Sequence, residues 1–428
     1  MTNEPTSGAG RARAAVFERT STRLMFLAPA AVAMLAGLNA GLGLADAPVP
    51  VASPRLEGVH GMLMVLGFLG TLIALERAVA LRAPWGFLAP GLLGAGGLAL
   101  VLPLPLVVAQ VLLVAGCSAF LAVYGALFQR SRDDLVLAQA MGAFFALVAA
   151  ALWMIVELPD LTPWLISFLV LTIASERIEL ARIAMPRSAG AVLTGFGVAL
   201  TVVLVLDLTV PMLGRFLFGL LLLVLVAWLV RYDVARRMVR SGGLPRFSAA
   251  AMLTGYTWLA IAGLTWYAAA LAPVFAPVLP EAIGWLAPAS SHTALAADLP
   301  GGNPRVPLSE VAYEVALHSA FVGFALSMVI AHASVILPAV LKRPLPYRRI
   351  AWVPLVFLHA ALALRLGAAA VDGLAEAWRV GIVATVVAVL LFALVSVVTS
   401  LLASSASRAG TRPPARPAGN DPATGRTS

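Results

Sequence analysis

Along most of the chain, polar residues do not alternate with apolar ones at a strand or helix period; they gather in short breaks between long apolar runs. An apolar run of about 20 residues, wound at 1.5 Å per residue, spans the roughly 30 Å hydrocarbon core of a bilayer. Twelve such runs can be placed, near 24–45, 58–80, 86–104, 106–129, 135–156, 163–183, 188–207, 210–230, 248–273, 311–337, 350–370 and 379–403. The pattern predicts an all-α integral membrane protein with twelve transmembrane helices across residues 23–404. A polar tail, 1–22, precedes them, and 405–428 follows. The one long break, 274–309, is rich in proline and predicts an external loop rather than a further span; VFAPVLPEAIGWL within it suits an interfacial position.

Composition narrows this to a polytopic protein of the lipid bilayer. Hydrophobic residues make up 61% of the 428 and charged ones 11%, and the mean hydropathy is +0.96, which no soluble domain approaches. The formal charge of +9 would suit a nucleic-acid partner, so the placement of the arginines decides. All the basic residues except Arg55, Arg215, Arg305, Arg365 and Arg379 fall on one side once the first span is taken to run outward. That is the positive-inside bias of a protein with both termini in the cytoplasm, and it points to the bacterial inner membrane and away from nucleic acid. The single cysteine, Cys117, lies in span 4 and can form no internal disulfide. No cleavage pattern follows span 1, which reads as a retained helix. The last residues, rich in Pro, Gly and Ser, read as disordered.

One internal repeat stands out. Ile73-Ala74-Leu75-Glu76-Arg77 at the end of span 2 recurs as Ile173-Ala174-Ser175-Glu176-Arg177 at the end of span 6, with Arg82 matched by Arg182. Even-numbered spans end on the basic side and carry arginines in any case, but the paired glutamates and common register point to a duplicated four-span unit. Spans 2, 6 and 10 would then be equivalent, in three four-helix arcs related by pseudo-threefold symmetry. Glu76, Arg77, Glu176, Arg177, Glu179 and Arg182 read as interfacial ion pairs.

Four of the five histidines lie inside spans, where an unpartnered imidazole is costly; His292, in the external loop, reads as a solvated residue. Counting along the helices from the span centres puts His60 about 13 Å and His318 about 10 Å toward the outside. Two neutral imidazoles at one level on different helices are what a bis-histidine haem needs. The matching place in span 6 holds Asp160. His332 falls about 10 Å toward the inside and His359 near the midplane. With His318 and His332 about four turns apart on one face of span 10, a second centre using His332, His359 and Met328 is conceivable, the thioether suiting copper as well as haem iron. Arg365, in the outer half of span 11, suits a haem propionate or, equally, Glu314.

These residues resemble two families. A histidine at the outer end of span 2 followed by Gly61 and Met64, with another on span 10, resembles the catalytic subunit of the haem-copper oxidases, in which the two histidines hold a low-spin haem. That family's histidines on spans 6 and 7 and its His-x-His on span 10 are missing here, so oxygen reduction is not expected. The chain is also similar to the NnrS family of twelve-span haem and copper proteins: His60-Gly-Met-Leu63 with Gly67-Phe68, and His318 to Met328, HSAFVGFALSM, look like that family's motifs. The resemblance implies a haem, b-type by expectation, possible copper, and a role in nitric oxide response or electron handling with a redox partner. The alternative class is a twelve-span secondary transporter with structural histidines; a scaffold is a third.

Overall fold

The computed structural model describes residues 20–275, 281–286, 309–341 and 343–410. His292, most of both tails and most of the 274–309 loop lie outside the described residues. Among the described residues only helices, turns and bends occur, and twelve helices are long and apolar enough to cross a membrane. They are Arg23–Gly43, Pro54–Leu81, Pro84–Val101, Leu106–Ser131, Asp134–Leu152, Leu158–Leu180, Ala189–Thr209, Pro211–Tyr232, Gly243–Phe275, Glu310–Val335, Arg349–Ala369 and Ala375–Ala403, spans 1 to 12 below.

Local chemistry sets the ends. The Ser53 hydroxyl accepts the Leu56 N–H and Pro54 occupies the first turn of span 2. Asp133 and Ser309 cap spans 5 and 10 in the same way, through the N–H groups of Leu135 and Ala312. Span 3 stops at Val101, short of the expected 104, because Leu102 precedes Pro103 and is driven to an extended conformation, ψ 153°. Span 6 starts at Leu158, ahead of the expected 163, and carries Pro163 inside its N-terminal part.

Burial sorts the helices into an interior and a surround. In spans 2, 6 and 10, 67%, 83% and 72% of the central window is buried, against 56% or less in the others. Span 4 packs on span 5, span 8 on span 9 and span 12 on span 1. The lipid-facing sides of the less buried helices carry exposed Val and Leu, such as Val198, Val202, Leu394 and Leu401.

Spans 2 and 10 share a departure from α geometry. Leu63–Gly70 and Ser319–Leu326 are π-helical, each beginning within three residues of His60 or His318. The i→i+5 pattern widens the turn. A hydroxyl then closes each segment: Thr71 Oγ1 donates to the Gly67 carbonyl at 2.8 Å, and the Ser327 hydroxyl donates to that of Gly323. At Gly323 the Trp258 side chain of span 9 lies so close that a Cβ would come within 2.4 Å of it.

Candidate functional site

The first site grows from the span-2 and span-10 histidines. His60 Nδ1 lies 2.8 Å from the Gly37 carbonyl of span 1. A carbonyl only accepts, so Nδ1 carries the proton and Nε2 the lone pair. Span 1 is narrowed there by glycine: a Cβ on Gly37 would meet Met64 Sδ at 2.4 Å, so His60 and Met64 both rest against bare backbone. His318 Nδ1 is 3.1 Å from the Glu314 carbonyl and 2.9 Å from its carboxylate Oε2, which assigns its proton in the same way. His318 Nε2 accepts from Arg365 Nη2 at 2.8 Å. Arg365 Nε donates to Glu314 Oε1 at 2.6 Å, and Trp378 Nε1 donates to the same oxygen at 3.3 Å. One carboxylate thus ties spans 10, 11 and 12 together, and of the two partners open to Arg365 the structure has Glu314. His318, Arg365 and Glu314 all lie within electrostatic reach of His60.

Chemically, these are two neutral imidazoles whose Nδ1 atoms are already anchored by acceptors, the orientation in which ligating histidines present Nε2. Arg365 stands against His318 Nε2, so any metal bound there must turn the guanidinium aside.

The second site is a cavity of about 440 Å³ between spans 1, 2, 6, 10 and 12, toward the ends that carry most of the arginines. Met328 and His332 line it, with Glu76 and Glu176 among otherwise mainly apolar side chains. His332 is 8% exposed; its Nδ1 donates to the Met328 carbonyl at 2.8 Å and its Nε2 has no hydrogen-bond partner. His359 is not part of the lining. Its Nδ1 accepts from Trp258 Nε1 at 3.0 Å. The expected inner pairing of His332 with His359 is therefore not assembled. Nor do His318 and His332 keep common surroundings: the first meets Arg365 of span 11, the second the cavity, with Arg177 and Asp233 within electrostatic reach. The π-helical stretch between them makes the count of α turns inapplicable. Among the described residues, no group of three or more His, Cys, Asp or Glu is placed to hold a metal ion.

The repeated arginines part company. Arg77 pairs with Glu76 at 2.8 Å, Glu179 at 3.2 Å and Glu176 at 3.7 Å. Arg177 instead grips Asp233, just past span 8, at 2.8 and 2.6 Å, and the Tyr256 hydroxyl donates to the same carboxylate at 2.6 Å. Burial pushes the Asp233 carboxyl up, but Arg177, Tyr256 and the Ala235 N–H outweigh it and hold it below the usual carboxylate range. Asp160 faces Arg215 at 3.9 Å.

Sequence reasoning missed Gly37, Trp378 and Asp233 as partners, because each is brought in by packing between helices far apart in the chain. Glu314 could be found from its place one turn before His318. A family model described as Domain of unknown function (DUF8744) matches residues 23–401, and the chain belongs to that family. No curated protein matches, and no solved structure matches.

Proposed function

We propose that this member of the family is a haem-binding protein of NnrS-like type, with a bis-histidine site formed by His60 and His318. It acts in electron handling or nitric oxide response, in a twelve-span architecture of three four-helix arcs with both termini in the cytoplasm. The observation that carries the reading is the matched chemistry of the two imidazoles. Each has its Nδ1 proton committed to an acceptor, and each lies beside a π-helical segment of a buried span. π-Helical turns concentrate at functional sites because they re-aim side chains. Two neutral imidazoles suit haem; Arg365, held by Glu314 and against His318 Nε2, would have to turn aside to admit the iron and would then be free to meet a propionate. When bound between two imidazoles, haem would supply one-electron chemistry. The chain's own residues supply the rest: Gly37 and Glu314 orient the imidazoles, and the apolar spans keep water from them.

The burial of spans 2, 6 and 10, and the closure of span 12 on span 1, support the three-arc arrangement. A transporter is the competing reading, favoured by the polar-ended cavity within the bundle. Expression with haem supplied, followed by a reduced-minus-oxidised spectrum, separates them. The expected result is a Soret and α-band signal that His60→Ala and His318→Ala both abolish; no haem in the wild type favours the transporter.

A further inference from the structure

The cavity beside His332 is built from corresponding positions of three helices. Carrying the Glu76/Glu176 repeat back along spans 2 and 6 matches Phe68 with Phe168, and the Gly-Phe pair extends the match to Phe324 of span 10. In that register Leu69, Leu169 and Ala325 correspond, as do Ile73, Ile173 and Val329, and then Glu76, Glu176 and His332. All nine side chains line the cavity. Each helix contributes positions i, i+4 and i+7, one face apiece, with two apolar tiers and an ionisable group at the end nearest the arginine-rich surface.

Two acceptors at the polar end have no hydrogen-bond partner. His332 Nδ1 is committed to the Met328 carbonyl, which leaves a lone pair on a buried, unpartnered Nε2. Glu176 Oε1 is also buried without a hydrogen bond. Glu76, Glu176 and Glu179 all face the guanidinium of Arg77, and Gln139 Nε2 also donates to Glu179, whereas Arg177 is spent on Asp233. The lining also includes Leu24, Val397 and Leu401, which are exposed on spans 1 and 12, so the cavity opens toward lipid. Exposed Arg343 stands at its rim.

We infer that this cavity is a binding site for an amphiphile with a long apolar chain and an ammonium head: the chain lies along the Leu69, Ile73 and Val329 tiers and the ammonium meets Glu76, Glu176 and His332. An aminophospholipid, whose phosphate Arg343 would meet, and a single-chain alkylamine both carry that chemistry. The inference does not depend on haem.

The test is thermal unfolding of the full-length protein, stripped of lipid in detergent and supplied in turn with phosphatidylethanolamine, phosphatidylglycerol of the same chains, or dodecylamine. Native mass spectrometry of the same samples counts retained lipid. The expected result is a higher Tm and about tenfold greater retention for an ammonium-headed ligand than for phosphatidylglycerol, roughly 1.4 kcal/mol. A rise with dodecylamine but not phosphatidylethanolamine identifies the single-chain source and supports the inference. Glu76→Gln with Glu176→Gln should erase the preference. Since those glutamates also pair with Arg77, Val329→Phe provides a second variant that fills the cavity without touching the ion cluster, and it should lower retention of the ammonium ligand. Equal retention of both phospholipids, or a preference that survives these variants, overturns the inference.

Discussion

At the scale of single residues, the account depends on side chains whose partners are fully specified. Asp233 and Arg177 form a buried pair, and removing one partner leaves an uncompensated charge. Asp233→Asn should lower stability by about 3–5 kcal/mol, read as a fall in Tm in detergent. Because the folded Asp233 carboxyl titrates below its unfolded value, its contribution is complete above the unfolded pKa of about 3.9 and is lost as pH falls through the folded value. The Tm difference between Asp233→Asn and wild type should therefore hold at neutral pH and narrow only in strong acid. Gly323→Ala gives a packing test. Its Cβ would strike the root of the Trp258 side chain, so a loss of about 1–3 kcal/mol is expected. Gly125→Ala, with open space at its Cβ, is the control and should be neutral or slightly stabilising. The histidines themselves were legible in the chain because an imidazole in an apolar run needs an explanation. The Gly37 carbonyl and the Trp378 indole were not, since nothing local marks a backbone oxygen or an indole as the partner of a distant helix.

At the scale of elements, the spans could be read to within a few residues, and the errors have physical causes. Hydropathy alone carries span 3 past Pro103, because it does not register the φ and ψ restraint of X-Pro. The π-helical segments left no trace in the pattern: LMVLGFLG and SAFVGFAL are apolar throughout, so a change of winding alters no periodicity. Their consequence is nevertheless testable. Deleting Val322 should return span 10 to α winding and change the angle at which His318 projects relative to the inner half of the helix. Haem retention should be lost while helical circular dichroism is retained. If the deletion leaves haem in place, the π segment has no part in aiming His318.

At the scale of the whole molecule, the Glu76/Glu176 repeat already pointed to equivalent helices, and the interior position of spans 2, 6 and 10 agrees with it. What the repeat could not reveal is that its two arginines diverge, because Asp233 on the loop after span 8 captures only Arg177. Orientation in the membrane has a direct readout. In a Cys117→Ala background, Asp372→Cys should react with an impermeant maleimide added to intact cells, and Arg240→Cys only after the membrane is opened; the reverse pattern would invert the topology.

The central claim is that His60 and His318 ligate one iron. Electron paramagnetic resonance of the oxidised, haem-loaded protein tests it most directly, comparing wild type with His60→Gly and His318→Gly before and after added imidazole. A low-spin signal in the wild type, lost to high spin in each variant and restored by imidazole, is the expected result. A wild-type signal that either glycine variant leaves unchanged would contradict it.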